Sequence, residues 1–259
     1  MLKKISIVGA GPGDPELLTV KAHRLLKQAD VVLYDSLMGT EILKLIPWHA
    51  QKIHVGKTYN DNQNQEERQI RINQMMKENY LAGKKVVRLK TGDPLIFGRG
   101  VEEIRYLIEN QLDYELVPGI TAGIAAANHF EIPITERAKN TTLMFCTGTT
   151  AKNDMEQFQA ISYMIKKGTP LILYMGLKNL PNIIEKFNEE GVSMQTPICA
   201  ASKVSYSEED WVSGTLENIL QNLEEHPLAT PTILLIGENL QSLRDQHEAY
   251  RHQFSEKAI

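Results

Sequence analysis

Cysteine is scarce in this chain, and so are tryptophan, aromatic side chains in general and long apolar runs. The two cysteines, Cys146 and Cys199, stand in apolar strand-like runs without the close spacing of a metal site. That excludes a disulfide framework or a zinc module and leaves free thiols in a reducing compartment. No stretch approaches the roughly 18 apolar residues that a membrane helix needs. The N-terminal apolar run breaks at Gly9-Ala10-Gly11-Pro12, too soon for the hydrophobic region of a signal peptide. The sequence therefore reads as cytoplasmic, with no membrane partner. Positive charge is not in excess: 28 Lys and Arg against 32 Asp and Glu give a formal net charge of −4. This excludes a nucleic-acid binder that works by bulk positive charge, and any anionic small molecule must be met by a local basic cluster.

What the chain does have is a regular alternation of apolar runs and amphipathic segments. Strands are predicted at 5–8, 31–34, 52–55, 85–89 and 114–117, with helices at 19–28, 41–46, 66–82 and 100–110 between them. Leu18, Ala22, Leu25 and Leu26 share one face of the first helix and Thr19 is its cap; Pro47 and Gly83 stop the second and third. This alternation indicates an α/β fold with a largely parallel sheet. The run Val117-Pro118-Gly119-Ile120-Thr121 reads as a hinge between an N-terminal α/β domain over 1–117 and a C-terminal α/β domain over 118–245, with 246–259 as a surface tail. The second half opens with a small-residue helix at 122–128. Strands follow at 142–146, 170–174, 197–201 and 232–236, with helices at 178–190 and 216–223 and more mixed strand pairing. The Asn-rich stretch 59–65 reads as a loop, and the charged segment beyond Leu240 as a surface helix or a frayed end.

The first strand feeds Gly9-Ala10-Gly11-Pro12-Gly13-Asp14, a bend like that of a dinucleotide-binding site. Such a bend needs a third small residue and bare backbone N–H groups facing a pyrophosphate. Here Asp14 would present a carboxylate to the diphosphate and repel it. A nucleotide-like ligand without phosphates and with positive charge fits better, and S-adenosylmethionine is one. Asp35, at a strand end about twenty residues on, fits either a ribose-binding acid or a turn residue.

Further groups follow in order: Ala29-Asp30-Val31-Val32-Leu33-Tyr34-Asp35, Val55-Gly56-Lys57, Arg88-Leu89-Lys90-Thr91-Gly92-Asp93-Pro94-Leu95-Ile96-Phe97-Gly98-Arg99-Gly100 with Glu102-Glu103, Val117-Pro118-Gly119-Ile120-Thr121-Ala122, and Leu173-Tyr174-Met175-Gly176. Together they make the chain resemble the tetrapyrrole (corrin/porphyrin) methylase family from about Lys4 to about Glu238. The resemblance implies two α/β domains with S-adenosylmethionine in the cleft between them, S-adenosylhomocysteine as its product, no metal, and a homodimer. It implies C-methylation of a small-molecule tetrapyrrole: two successive transfers to uroporphyrinogen III give precorrin-2, the branch compound toward sirohaem and cobalamin. Pro12, Thr91, Gly92, Asp93, Ile96, Thr121, Ala122 and Met175 are then expected at the cofactor. Asp35 is expected as proton acceptor and Lys57 as proton donor, with Arg99, Glu102 and Arg137 on the substrate. Uroporphyrinogen carries eight carboxylates, and Lys57, Arg88, Lys90, Arg99 and Arg137 are candidates for the basic cluster that meets them. A dehydrogenase–ferrochelatase module has no room here, so later steps are expected on other chains.

The chain departs from the family pattern in places. Thr91 replaces a turn glycine and is strained there if the turn needs positive φ. Val101 replaces another glycine, and Glu136 stands where a histidine is usual. At 204–210, Val-Ser-Tyr-Ser-Glu-Glu-Asp replaces a Gly-Thr and a Gln-Arg pair, which weakens carboxylate recognition there. The open alternatives are another precorrin C-methyltransferase, a non-catalytic tetrapyrrole carrier and a nicotinamide oxidoreductase.

Overall fold

A computed structural model describes residues 4–57, 64–149, 156–238, 240 and 242–243 of the chain. The chain divides into two compact units, Met1–Ala122 and Gly123–Ile259.

The first unit is an α/β layer structure. Its elements in chain order are β1 (Ile5–Gly9), α1 (Val20–Lys27), β2 (Val31–Tyr34), α2 (Thr40–Lys44), β3 (Gln51–His54), α3 (Gln65–Leu81), β4 (Val86–Lys90), α4 (Gly100–Glu109) and β5 (Tyr114–Val117). The five strands are all parallel and lie in the order β3-β2-β4-β1-β5. Because side chains alternate along a strand, both faces of this sheet bury apolar groups. Val8, Val32, Val87 and Leu89 pack under α1 and α2, whereas Ile5, Ile7, Val31, Leu33 and Val86 pack under α3 and α4. Thr19 caps α1 as expected, its Oγ1 accepting from Ala22 N at 3.1 Å. The connections after β1 and β2 run one way across the sheet and those after β3 and β4 run back. Right-handed crossovers then place α1 and α2 on one face and α3 and α4 on the other. The reversal falls between β1 and β4, the position at which open α/β sheets form a crevice beyond the strand ends.

The helix α5 (Ala122–His129) starts at the boundary of the two units, and the second unit holds β6 (Met144–Thr147), α6 (Glu156–Lys166), β7 (Leu171–Tyr174), α7 (Leu180–Glu189), β8 (Pro197–Ser202), β9 (Asp210–Thr215), α8 (Ile219–Glu225) and β10 (Thr232–Ile236). Its sheet runs β6-β7-β10-β8-β9, with β6 and β7 parallel and the other neighbours antiparallel, which is the mixed pairing expected. Phe158, Ile165, Ile183, Phe187 and Ile219 from three helices build one core on this sheet. On β7, Ile172 and Tyr174 lie against Gly123 so closely that an added Cβ would sit 2.4 Å from Ile172 Cγ2. Tyr174 Oη accepts from Gly123 N at 3.0 Å, which satisfies an otherwise orphan N–H at the start of α5.

Two elements differ from the sequence reading by their absence from it. The strand β9 pairs only with β8 at the sheet edge, and its one buried apolar residue, Val212, leaves little alternation to detect. The helix α6 carries Phe158, Ile161 and Ile165 at helical spacing, a signal that was present in the sequence. Residues 58–63 and the tail beyond Leu243 lie outside the described residues. Of the expected 59–65 loop, Asn64 is instead the cap of α3, accepting from Glu66 N at 3.1 Å, and Gln65 begins the helix.

Candidate active site

The loops beyond β1 and β4 are tied together at the sheet reversal. Gly92 N donates to Gly11 O at 2.7 Å and Gly11 N to Gly92 O at 3.2 Å. A third loop, after β5, crosses them at Gly119. A Cβ on Gly119 would lie 2.2 Å from Gly92 O, and one on Gly9 would lie 2.5 Å from Gly119 N. Only glycine admits three backbones this close. The crossing gathers Pro12, Thr91, Gly92, Asp93, Thr121 and Ala122 in one region, since a Cβ on Gly92 would come within 3.9 Å of Ala122 N and 3.8 Å of Thr121 Cα.

Asp93 frames this region. Its Oδ1 accepts from Leu95 N at 2.9 Å and its Oδ2 from Gly119 N at 3.1 Å, so the carboxylate locks two loops. Asp14 does not face the turn as the sequence reading supposed. Its carboxylate accepts from Glu16 N at 2.8 Å and caps a short 3₁₀ turn at Pro15–Leu17. Thr91 is unstrained, because the positive φ of the turn falls one residue later, at Gly92 (67°). Thr91 Oγ1 is shielded from solvent and has no hydrogen-bond partner among the described residues.

After Asp93-Pro94 the chain doubles back. Phe97 and Arg99 take left-handed backbone conformations, with φ of 52° and 58°, and Gly100 N donates to Pro94 O at 3.0 Å. A Cβ at Gly100 would lie 2.4 Å from that same carbonyl oxygen, so the glycine is what lets the loop close. This places Arg99 at the start of α4, where Nη2 reaches Glu102 Oε2 at 2.6 Å and Nε reaches both carboxylate oxygens. The hydrogen bond from Arg99 is the main cause that holds the Glu102 carboxyl below the usual carboxylate range. Ile96, in the same loop, is exposed.

A cavity of about 440 Å³ opens beside this loop, within the first unit, and its lining includes Asp35, Lys57, Arg68, Lys90, Thr91 and Arg99. Asp35 follows β2 and continues the face on which Arg88 and Lys90 also point. Gly56 is pressed against Ser36, where a Cβ would lie 2.2 Å from Ser36 N. Ser36 Oγ donates to Lys57 O at 2.5 Å, and these contacts bring Lys57 next to Asp35. Arg88 and Lys90 are not the open carboxylate-binding cations expected from sequence. Both are buried, and Arg88 bridges Asp35 at 2.6 Å and Glu103 at 2.9 Å, while Lys90 Nζ lies 3.1 Å from Glu103. Burial, joined by the nearby Arg88 charge, pushes the Lys90 ammonium below its usual range, and Glu103 and Asp35 oppose the shift.

Met175 and Arg137 belong to the second unit. Met175 holds a left-handed φ of 53° and its carbonyl accepts from Thr149 Oγ1 at 3.1 Å. Arg137 lies on an exposed turn. The sequence reading passed over Glu103 as a site residue. Yet Gly100, Glu103 and Leu107 are the buried positions of α4, so helical spacing placed an acid on the apolar face.

The sequence profile of the Tetrapyrrole (Corrin/Porphyrin) Methylases matches residues 4–220. This chain belongs to that family. A relative similar to this chain, the uroporphyrinogen-III C-methyltransferase of Cyanidium caldarium, is 40% identical over 243 residues, which cover 92% of this chain and 93% of that protein. The siroheme synthase of Psychrobacter arcticus is 40% identical over 239 residues, 91% of this chain, but this chain spans only 42% of that protein's length. A solved structure of the uroporphyrin-III C-methyl transferase from Thermus thermophilus, complexed with S-adenyl homocysteine, matches with a TM-score of 0.75 at 31% identity, over 91% of this chain and 92% of that one. The two-domain α/β architecture is thus that of the tetrapyrrole methylases. Among the described residues, no helix is long and apolar enough to cross a membrane and no cluster of His, Cys, Asp and Glu suits a metal ion.

Proposed function

We propose that this chain transfers methyl groups from S-adenosylmethionine to carbon atoms of uroporphyrinogen III, two in succession, giving precorrin-2. The observation that carries the reading is the cavity of the first unit: Lys57, Arg68 and Arg99 line it together with the partly open carboxylate of Asp35. A substrate with many carboxylates needs the cations, and a carbon nucleophile that must shed a proton after alkylation needs the base.

The residues present suit S-adenosylmethionine. The loops after β1, β4 and β5 offer bare glycine backbone and the carboxylate of Asp93, with no Lys or Arg ahead of Arg99. That surrounding favours a cationic ligand and opposes a diphosphate. Thr91 Oγ1 supports the same reading, since leaving a buried hydroxyl unpaired costs about 1–3 kcal/mol that a ligand acceptor would offset. Pro12, Thr91, Gly92, Asp93, Ile96, Thr121, Ala122 and Met175 would hold this group, which supplies an electrophilic methyl on sulfur. Asp35 accepts the proton that the alkylated pyrrole carbon releases, and Lys57 donates one. Arg99 and Arg137 bind substrate carboxylates, and Glu102 keeps Arg99 oriented. The reading extends to a homodimer in the cytoplasm, on the ground of kinship, and sedimentation of the purified chain tests the dimer.

The test is calorimetric titration followed by an activity assay. S-adenosylmethionine and S-adenosylhomocysteine are expected to bind in the micromolar range and NAD not at all. Uroporphyrinogen III with a labelled methyl donor is expected to give a labelled tetrapyrrole. NAD binding in preference to both would end the methylase reading. Cofactor binding without label in the product would point to a carrier or to another tetrapyrrole acceptor.

A further inference from the structure

The carboxylate of Asp35 is one end of a buried chain of charges. Arg88, only 2% exposed, spans two acids: Nη2 lies 2.6 Å from Asp35 Oδ1 and Nε lies 2.9 Å from Glu103 Oε1. Its Nη1 donates to the carbonyls of Leu89 at 3.1 Å and Leu33 at 3.4 Å. Glu103 is fully buried, reaches Lys90 Nζ at 3.1 Å through Oε2, and is approached by Gln69 Nε2 at 3.5 Å. Two acids and two bases neutralise one another in the cavity wall. Of the four, Asp35 alone is more than marginally exposed, at 29%.

Stability is a weak reason for such a cluster. Taking a carboxylate out of water costs several kcal/mol, and apolar side chains of similar volume stabilise a core as well or better. What the cluster does achieve is orientation. A guanidinium is planar and rigid, so fixing Nε on Glu103 and Nη1 on two backbone carbonyls leaves Nη2 a single direction, toward Asp35. Glu103 sits on α4, one residue beyond the partner of Arg99, and its carboxylate meets the cavity lining at Arg88, Lys90 and Gln69.

We propose that Glu103 is a positioning residue: by clamping Arg88 it holds the Asp35 carboxylate aimed into the cavity, and Arg88 and Lys90 serve that clamp rather than the substrate. The catalytic part of this inference rests on Asp35 acting as the proton acceptor of the methylation proposed above.

Glu103→Gln tests it. The amide accepts at one end and presents N–H to a cation at the other, so it can satisfy Arg88 or Lys90 but not both. With uroporphyrinogen III and a labelled methyl donor, kcat is expected to fall about 10- to 100-fold, the loss that a misplacement of about 1 Å produces. KM for the tetrapyrrole and the S-adenosylhomocysteine affinity are expected to stay within about twofold, because neither ligand touches Glu103. In an Asp35→Asn background, Glu103→Gln should add no further loss. A raised KM with unchanged kcat, or losses that multiply in the double variant, would overturn the clamp. Arg88→Lys keeps the buried charge but cannot span both acids; it should show the same kcat loss, and full activity there would also overturn the clamp. If the wild type labels no tetrapyrrole, the proposed function falls, and crystal structures of the variants decide the clamp by themselves. An Asp35 carboxylate that has turned from its wild-type position supports it, and an unmoved one refutes it.

Discussion

Replacing Gly119 by alanine tests the crossing of three backbones on which the proposed cofactor region is built. The new methyl would lie 2.2 Å from Gly92 O, 2.8 Å from Gly9 C and 2.9 Å from Gly9 Cα. All three are main-chain atoms, so no side chain can rotate away, and β1 or the loop after β4 must give by about 1 Å to reach ordinary contact. Overpacking of this kind costs typically about 1–3 kcal/mol. The shift also pulls Gly119 N from Asp93 Oδ2, a hydrogen bond of 3.1 Å to a charged acceptor, worth roughly 1.5–3 kcal/mol. Together these give about 2.5–6 kcal/mol, a melting temperature lower by roughly 5–24 °C in a chain of this size. Scanning calorimetry with and without S-adenosylhomocysteine measures it, and the stabilisation by that ligand is expected to shrink as the loops separate. Gly168→Ala is the contrasting variant. Its φ is +81° and nothing lies within 4 Å, so only backbone strain of about 1–2 kcal/mol is expected. If Gly119→Ala melts within about 2 °C of wild type, or no lower than Gly168→Ala, the close crossing is not what holds these loops.

Arg99→Ala should abolish turnover far more than cofactor affinity while moving the melting temperature little, since the Arg99–Glu102 pair is about half exposed and worth at most about 1 kcal/mol. Equal loss of turnover and of S-adenosylhomocysteine affinity would reassign Arg99 to the cofactor. Glu115 gives a pH prediction. Partial burial works to raise its carboxyl, but hydrogen bonds from Lys21 and Ser6 and the charges of Lys21 and Lys4 hold it below the usual carboxylate range. Its contribution is therefore present above the unfolded carboxyl value and lost as pH falls through the lower folded one. Glu115→Gln should flatten the dependence of the melting temperature on pH between about pH 5 and 3, by the equivalent of less than about 1 kcal/mol after solvent screening, and an unchanged acid slope would refute the contribution of the Lys21 and Ser6 contacts.

The sheet of the first unit was legible because its strands are local, continuous apolar runs, with 31–34 and 114–117 matching Val31–Tyr34 and Tyr114–Val117 to the residue. The order β3-β2-β4-β1-β5 was not, since it depends on pairings between residues far apart in the chain, such as Ser6 with Val87 and with Glu115. Charge was harder still. Asp14 led toward a cationic cofactor because a carboxylate beside a diphosphate is repelled, yet its side chain caps a turn. What opposes a phosphate is the whole loop set, acidic and without Lys or Arg ahead of Arg99. Arg88 and Lys90 looked like substrate cations because sequence shows their charge and not their partner, Glu103, which lies on the far side of a loop.

The segment 204–210 shows the same lesson in the opposite direction. Acids in place of a basic element suggested weakened carboxylate recognition. In the second unit these acids are answered where they stand. Glu209 reaches His129 Nε2 at 2.6 Å and accepts from Ser205 N at 2.7 Å, while Asp210 reaches His226 Nε2 at 2.6 Å and accepts from Trp211 N at 2.8 Å. The hydrogen bond from His226 is the main cause that holds the Asp210 carboxyl below its usual range. Val204 is buried, and Trp211 stacks on Phe130 with ring centroids 5.1 Å apart. A carboxylate already engaged by a histidine and a backbone N–H presents less uncompensated charge to an anion than the bare sequence implies. The departure from the family pattern therefore reads as a local change of structure, and under the proposed function the binding of an acidic substrate would fall to the cations that line the first unit's cavity.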